Sequence, residues 1–259
     1  MKIIIICLAF MSLVSSCNKR DVFDGTNSYQ DGFEIYTSVN ELILPYPKTN
    51  DMWSFTQITN SDNVFSLDSL KAHTGKKSLK FMAKKSDENL VSKCSIAKQK
   101  MAFWAGETMR VSAWYYLEGT QKLDWLFLLD LEEQTAIGAG PGMRLTLVDN
   151  QLRVEYKFNE KDIVQNVSPA VNFPRNQWVE LIWEVKLSQK HGGSVKLWQN
   201  GQLIIESQYN KTLPTDILYF QQGTKGMYSS IEIGITANSP DNDLILWMDD
   251  VKFEKVNLQ

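Results

Sequence analysis

From Thr108 to Leu117 the chain reads TMRVSAWYYL, and every second residue is apolar. Met109, Val111, Ala113, Tyr115 and Leu117 fall on one face of an extended strand, and Arg110, Ser112, Trp114 and Tyr116 on the other. A period of two belongs to strands half-buried in a sheet. The same alternation returns in QWVELIWEVKL, where Val179, Leu181, Trp183, Val185 and Leu187 oppose Glu180, Glu184 and Lys186. GMRLTLVDNQLRVEYKF reads as a hairpin turning near Asp149-Asn150, and SVKLWQNGQLIIES as one turning at Asn200-Gly201, the dipeptide best suited to a two-residue turn. SSIEIGITA and DLILWMDDVKF supply two late strands. About a dozen short strands with no sustained helical period predict an all-β, two-sheet antiparallel sandwich.

The chain begins with Lys2, an apolar run from Ile3 to Val14, and Ser-Ser-Cys. That run is shorter than the roughly 20 apolar residues of a spanning helix and suits a secretory signal. LVSSC resembles the bacterial lipobox, in which the cysteine becomes the lipid-bearing first residue of the mature protein. The expected organisation is a signal peptide over 1–16, a polar tether over 17–30 carrying lipid on Cys17, and a single sandwich domain over 31–259. The expected address is the cell envelope, with the lipid in a bacterial, by expectation outer, membrane.

Of three cysteines, Cys7 leaves with the signal and Cys17 takes lipid, so Cys94 has no disulfide partner. With two histidines, His73 and His191, and no C-x-x-C, zinc is not expected. Loss of Lys2 takes the formal charge from −3 to −4, which disfavours nucleic acid as a partner.

DGFEIY, AHTGKKSLKF, VKLWQNG and LWMDDVKF resemble the milestones of concanavalin A-like jelly rolls, the superfamily of secreted lectin-like domains, glucanases and polysaccharide lyases. The resemblance spans about Asp31 to Val256 and implies a jelly-roll sandwich and a glycan partner. His73 reads as a turn residue before Gly75. The opening and closing strands of jelly rolls often run side by side, which makes Glu34, Asp249 and Asp250 a candidate set for structural calcium; no other cofactor is expected.

The catalytic templates of this superfamily are incomplete here. Laminarinase-type glucanases carry E-x-D-x-x-E or E-x-D-x-E on one strand. In FLLDLEEQ the pattern gives Leu128, Asp130 and Glu132 or Glu133, with leucine at the nucleophile. Alginate-lyase-like members carry Q-I-H and Y-F-K-A-G-x-Y. There is no Q-I-H, and SIEIGIT places Glu232 at the lysine and Thr236 at the second tyrosine. The expectation is therefore a lipid-anchored envelope protein that binds a polysaccharide or oligosaccharide without cleaving it, through Arg110, Trp114, Tyr116, Asp130, Glu132 and Arg144. Strict alternation places Asp130 and Glu132 on one face with Leu126 and Leu128, opposite Trp125, Phe127, Leu129 and Leu131. Two alternatives remain: a lyase or glycoside hydrolase with a differently built site, and a structural or adhesion domain. A loop covering Trp114 and Tyr116 as a second small core is a further alternative.

Overall fold

The structure is a computed structural model that describes residues 25–43, 52–132, 134–135, 138–140, 142–158, 160–214 and 226–257. The expected signal peptide, Cys17 and Glu133 lie outside them. The strands are β1 (Ser28–Asp31), β2 (Phe55–Ile58), β3 (Val64–Asp68), β4 (Ser78–Ala83), β5 (Cys94–Lys98), β6 (Phe103–Trp104), β7 (Thr108–Leu117), β8 (Trp125–Glu132) and β9 (Gln134–Thr135). They continue with β10 (Gly138–Ala139), β11 (Met143–Val148), β12 (Gln151–Tyr156), β13 (Trp178–Lys186), β14 (Gly193–Gln199), β15 (Gln202–Asn210), β16 (Met227–Tyr228), β17 (Ser230–Asn238) and β18 (Leu244–Val256). One short helix, α1 (Val39–Ile43), follows β1.

Two antiparallel sheets make the sandwich. The eight-stranded sheet runs β15-β14-β13-β7-β18-β4-β3, with β1 also pairing β18. The six-stranded sheet runs β12-β11-β8-β17-β5-β2. This is the concanavalin A-like jelly roll. The alternating residues of β7 and β13 behave as their period predicts, with Met109, Val111, Tyr115, Val179, Leu181 and Trp183 all buried. They meet Leu129, Leu131, Ile231 and Ile233 of the other sheet in one continuous core that includes Trp53, Phe81 and Phe253. Both predicted turns form. Asp149 and Asn150 have φ of 50° and 65°, and Asn200 and Gly201 have 48° and 77°, the left-handed pair that suits a two-residue hairpin.

Strand β8 departs from strict alternation. Leu145 of β11 pairs Leu129, but Thr146 pairs Phe127, so Leu128 is an extra residue in a β-bulge. The bulge reverses the side-chain parity upstream of it. Leu126, Leu128, Leu129 and Leu131 all enter the core, while Phe127 joins Asp130 and Glu132 on the outer face. The expected grouping of Leu126 and Leu128 with Asp130 is thereby corrected.

Strand β17 also shifts register between Ile233 and Ala237. Gly234 there has φ 121°, and an added Cβ would lie 2.8 Å from Phe81 Cε1 of the facing sheet. Gly234→Ala should therefore cost about 1–3 kcal/mol, read as a lower denaturation midpoint with an unchanged slope.

Candidate active site

Strand β17 lies at the middle of the six-stranded sheet and is buried on both faces. Its isoleucines fill the core, and Ser230, Glu232 and Thr236 on the other face are 2%, 5% and 1% exposed. A carboxylate in that position needs partners. Glu232 stands opposite Asp130 of β8 and Ala97 of β5, and Ser95 donates its hydroxyl to Glu232 Oε1. Burial, with the charges of Asp130 and Glu132 adding to it, pushes the Glu232 carboxyl up to about 7; the Ser95 hydrogen bond and Lys93 only moderate this.

On the other side of β8, Arg144 of β11 pairs Asp130 across the strands. Its Nε donates to Asp130 Oδ1 at 2.9 Å, and its guanidinium lies 4.0 Å from the Phe127 ring centre. The Nη pair makes no hydrogen bond with the described residues, and Glu155, the cross-strand partner of Arg144 on β12, is its second neighbouring carboxylate. Lys157 follows β12, where its backbone N–H donates to Gly142 O at 2.8 Å. Its ammonium reaches Asp130 Oδ1 at 3.2 Å and also binds Glu132. Burial opposes the Asp130 charge, but Lys157 and Arg144 outweigh it and hold the carboxyl below the ordinary range. Burial likewise opposes the Lys157 charge, and Asp130 and Glu132 outweigh it and raise the ammonium's pKa. The buried Thr236 and Thr146 hydroxyls on the same face lie beside the carboxylates of Asp130 and Glu155 and favour their charged forms.

The six residues expected to bind a ligand do not form one site. Asp130, Glu132 and Arg144 are joined on the six-stranded sheet. Arg110, Trp114 and Tyr116 project from β7, in the other sheet, on its outer face. There Arg110 binds Glu184 at 2.8 Å, with Glu254 3.7 Å away. The imidazole of His73 stacks on Trp114 at 3.6 Å, and Lys71 sits 3.6 Å above the Tyr116 ring. The segment holding Lys71 and His73 thus covers the Tyr116 ring and one face of Trp114, and the six residues share no single platform.

The candidate calcium set is also corrected. Glu34 accepts the backbone N–H groups of Lys76 and Lys77, and Asp249 those of His73 and Thr74. Asp250 Oδ2 lies 2.6 Å from His73 Nδ1, and its Oδ1 accepts the Thr74 hydroxyl at 2.8 Å. These carboxylates tie the turn of residues 73–77 to the sheet. Among the described residues no group of three or more His, Cys, Asp or Glu side chains could hold a metal ion.

Residues 47–252 match a family described as polysaccharide lyase. The chain belongs to this polysaccharide lyase family. No curated protein sequence matches it. Among solved structures it is similar to an endo-β-1,4-glucuronan lyase from the fungus Trichoderma reesei, with TM-score 0.63 and 15% identity over 79% of this chain and 91% of that one. It is also similar to the cellulose induced protein Cip1, with TM-score 0.57 and 15% identity over 80% and 92% of the two chains. A third likeness is to alginate lyase Aly36B, with TM-score 0.50 and 10% identity over 91% and 99%. At these identities the likenesses establish the fold, and the role of each residue rests on its own geometry. Glu232, which departs from the alginate-lyase pattern, and Lys157, which lies past a strand end, both enter this site. The signals available in sequence were an acid flanked by isoleucines in IEIGI and a lysine closing RVEYK.

Proposed function

We propose that the protein cleaves a uronate-containing polysaccharide by β-elimination on the outer face of the six-stranded sheet. The observation that supports this is the buried cluster of Glu232, Asp130, Glu132, Arg144 and Lys157 in a chain of the polysaccharide lyase family. The Arg144 guanidinium, oriented through Nε by Asp130, offers its Nη pair to the uronate carboxylate and offsets its charge. That makes the C5 proton removable. Glu232, with a pKa of about 7, is poised as the base that takes it. The C5–H electrons form the C4=C5 double bond, the C4–O4 bond breaks, and the leaving oxygen takes a proton from Lys157. Glu232 ends protonated, Lys157 neutral, and solvent restores both.

The test is ultraviolet absorbance of the unsaturated product during incubation with polyglucuronate, alginate and pectate. Cleavage of at least one is expected, with none after its carboxylates are reduced to alcohols. Absence of absorbance from all three would overturn the proposal. Retention of these polymers without product would instead favour the binding reading, which Thr236 and Glu232 support by standing where alginate-lyase-like strands carry tyrosine and lysine. The Ser-Ser-Cys17 motif supports placing the lyase on a bacterial envelope membrane; radiolabelled palmitate should enter the wild type and not Cys17→Ser.

A further inference from the structure

The opposite face of the sandwich carries a second cavity, far in the topology from the charge cluster. It lies where β18 bulges between Asp249 and Lys252, against β7, β13 and the segment after β1. Its volume is about 560 Å³, within the roughly 300–1,000 Å³ of small-ligand sites. Trp114, Ser112, Glu180, Gln30 and Asp250 are among its walls. Trp114 and Glu180 are direct cross-strand partners, so the indole and the carboxylate stand side by side. His73, fixed by Asp249 and Asp250, takes one face of the indole, and the ring lines the cavity with the rest of its surface.

The polar inventory narrows the ligand. Asp31 is saturated by Trp53 Nε1 at 2.8 Å, Tyr36 at 3.0 Å, Tyr29 at 3.1 Å and the Phe33 N–H at 2.8 Å. Glu34 and Asp250 are occupied by the turn of residues 73–77. The Lys252 ammonium is paired with Glu254 at 2.7 Å. The Glu180 carboxylate and the Ser112 hydroxyl have no side-chain partner among the described residues. A cavity with an aromatic wall, a free carboxylate and further acids behind it accepts hydroxyl donors and repels anions.

We infer that this cavity is a second, non-catalytic saccharide site, selective for a neutral pyranose and closed to uronates. A pyranose ring lays its C–H face on Trp114 and donates hydroxyls to Glu180. The two faces of the sandwich then have opposite charge preference: the six-stranded sheet takes uronate, and the eight-stranded sheet holds a neutral sugar of the same or a neighbouring glycan. The neutral-sugar site stands without the lyase proposal, and only the contrast between the two faces rests on it.

Affinity electrophoresis of the full chain through gels containing hydroxyethyl cellulose, xylan, galactomannan or polyglucuronate tests it. The wild type should be retarded by at least one neutral glycan. Glu180→Ala and Trp114→Ala should each weaken that retardation about tenfold, the loss of one good polar or stacking contact. Lys161→Ala, at an exposed position after β12 and away from this cavity, should retain it in full. Glu180 is partly exposed, so its variant reports on binding even where Trp114→Ala perturbs the His73 stack. No retardation by any neutral glycan overturns the inference, as does wild-type retardation of Glu180→Ala or loss of retardation in Lys161→Ala.

Discussion

Glu232→Gln should make the protein more stable at pH 8 and leave it nearly unchanged below pH 4.5. In the folded chain the Glu232 carboxyl titrates at about 7 rather than the ordinary 4.5, chiefly because it is buried. The folded state therefore keeps the proton to a higher pH than the unfolded state. Between pH 4.5 and about 7 unfolding releases it, so stability falls as pH rises through this window and is level above it. The full difference corresponds to roughly 3 kcal/mol. Glutamine is neutral at every pH and its amide oxygen can still accept the Ser95 hydroxyl, so it removes this cost. For a chain of this size the gain is roughly 6–12 °C in melting temperature at pH 8. Thermal melts at both pH values check it, and equal shifts at both would remove burial of a charge as the cause. A carboxylate whose loss stabilises the fold matches the trade of stability for function at active sites and agrees with its proposed role as the base.

Asp130→Ala should have the opposite sign and a comparable size. Asp130 is 3% exposed and is the common anion of Arg144 and Lys157. Its removal leaves Arg144 without an ion-pair partner among the described contacts, while Lys157 keeps Glu132. Breaking a buried pair costs about 3–5 kcal/mol. Both cations retain some solvent contact, which favours the lower end, about 3 kcal/mol. The Asp130 carboxyl is held below its ordinary 3.8, so its contribution is present above that pH and disappears as pH falls through the lower folded value. Chemical denaturation of wild type and variant should diverge at pH 7 and converge in strong acid. A difference that persists in acid would assign the loss to packing rather than charge.

The sandwich was legible because the period of two says which parity of each strand is buried, and Asn200-Gly201 and Asp149-Asn150 say where strands reverse. Periodicity does not say which of two sheets a strand joins. That is why Trp114 and Asp130, each correctly read as non-core within its strand, could be assigned to a single platform although they lie on opposite faces of the molecule. The bulge at Leu128 was hidden for a related reason. FLLDL is apolar on both parities until Asp130, so the sequence carries no mark of where the alternation slips. Glu232 was legible as a residue but not as a candidate base, because its raised pKa comes from burial between β8 and β5 and from Asp130, all contacts distant in sequence. Lys157 sits past the end of its strand, where no parity rule applies.

Initial rates of ultraviolet-absorbing product from a susceptible polyuronate, measured from about pH 5 to about pH 9, test the central claim most directly. The wild-type kcat/KM should rise with pH, inflect near 7 as Glu232 deprotonates, and level above it. Glu232→Gln should lower the plateau by roughly 10²–10⁴-fold, the usual contribution of a positioned base. A wild-type profile without an inflection near 7, or a glutamine variant that keeps the wild-type rate, would contradict the proposal that Glu232 is the base.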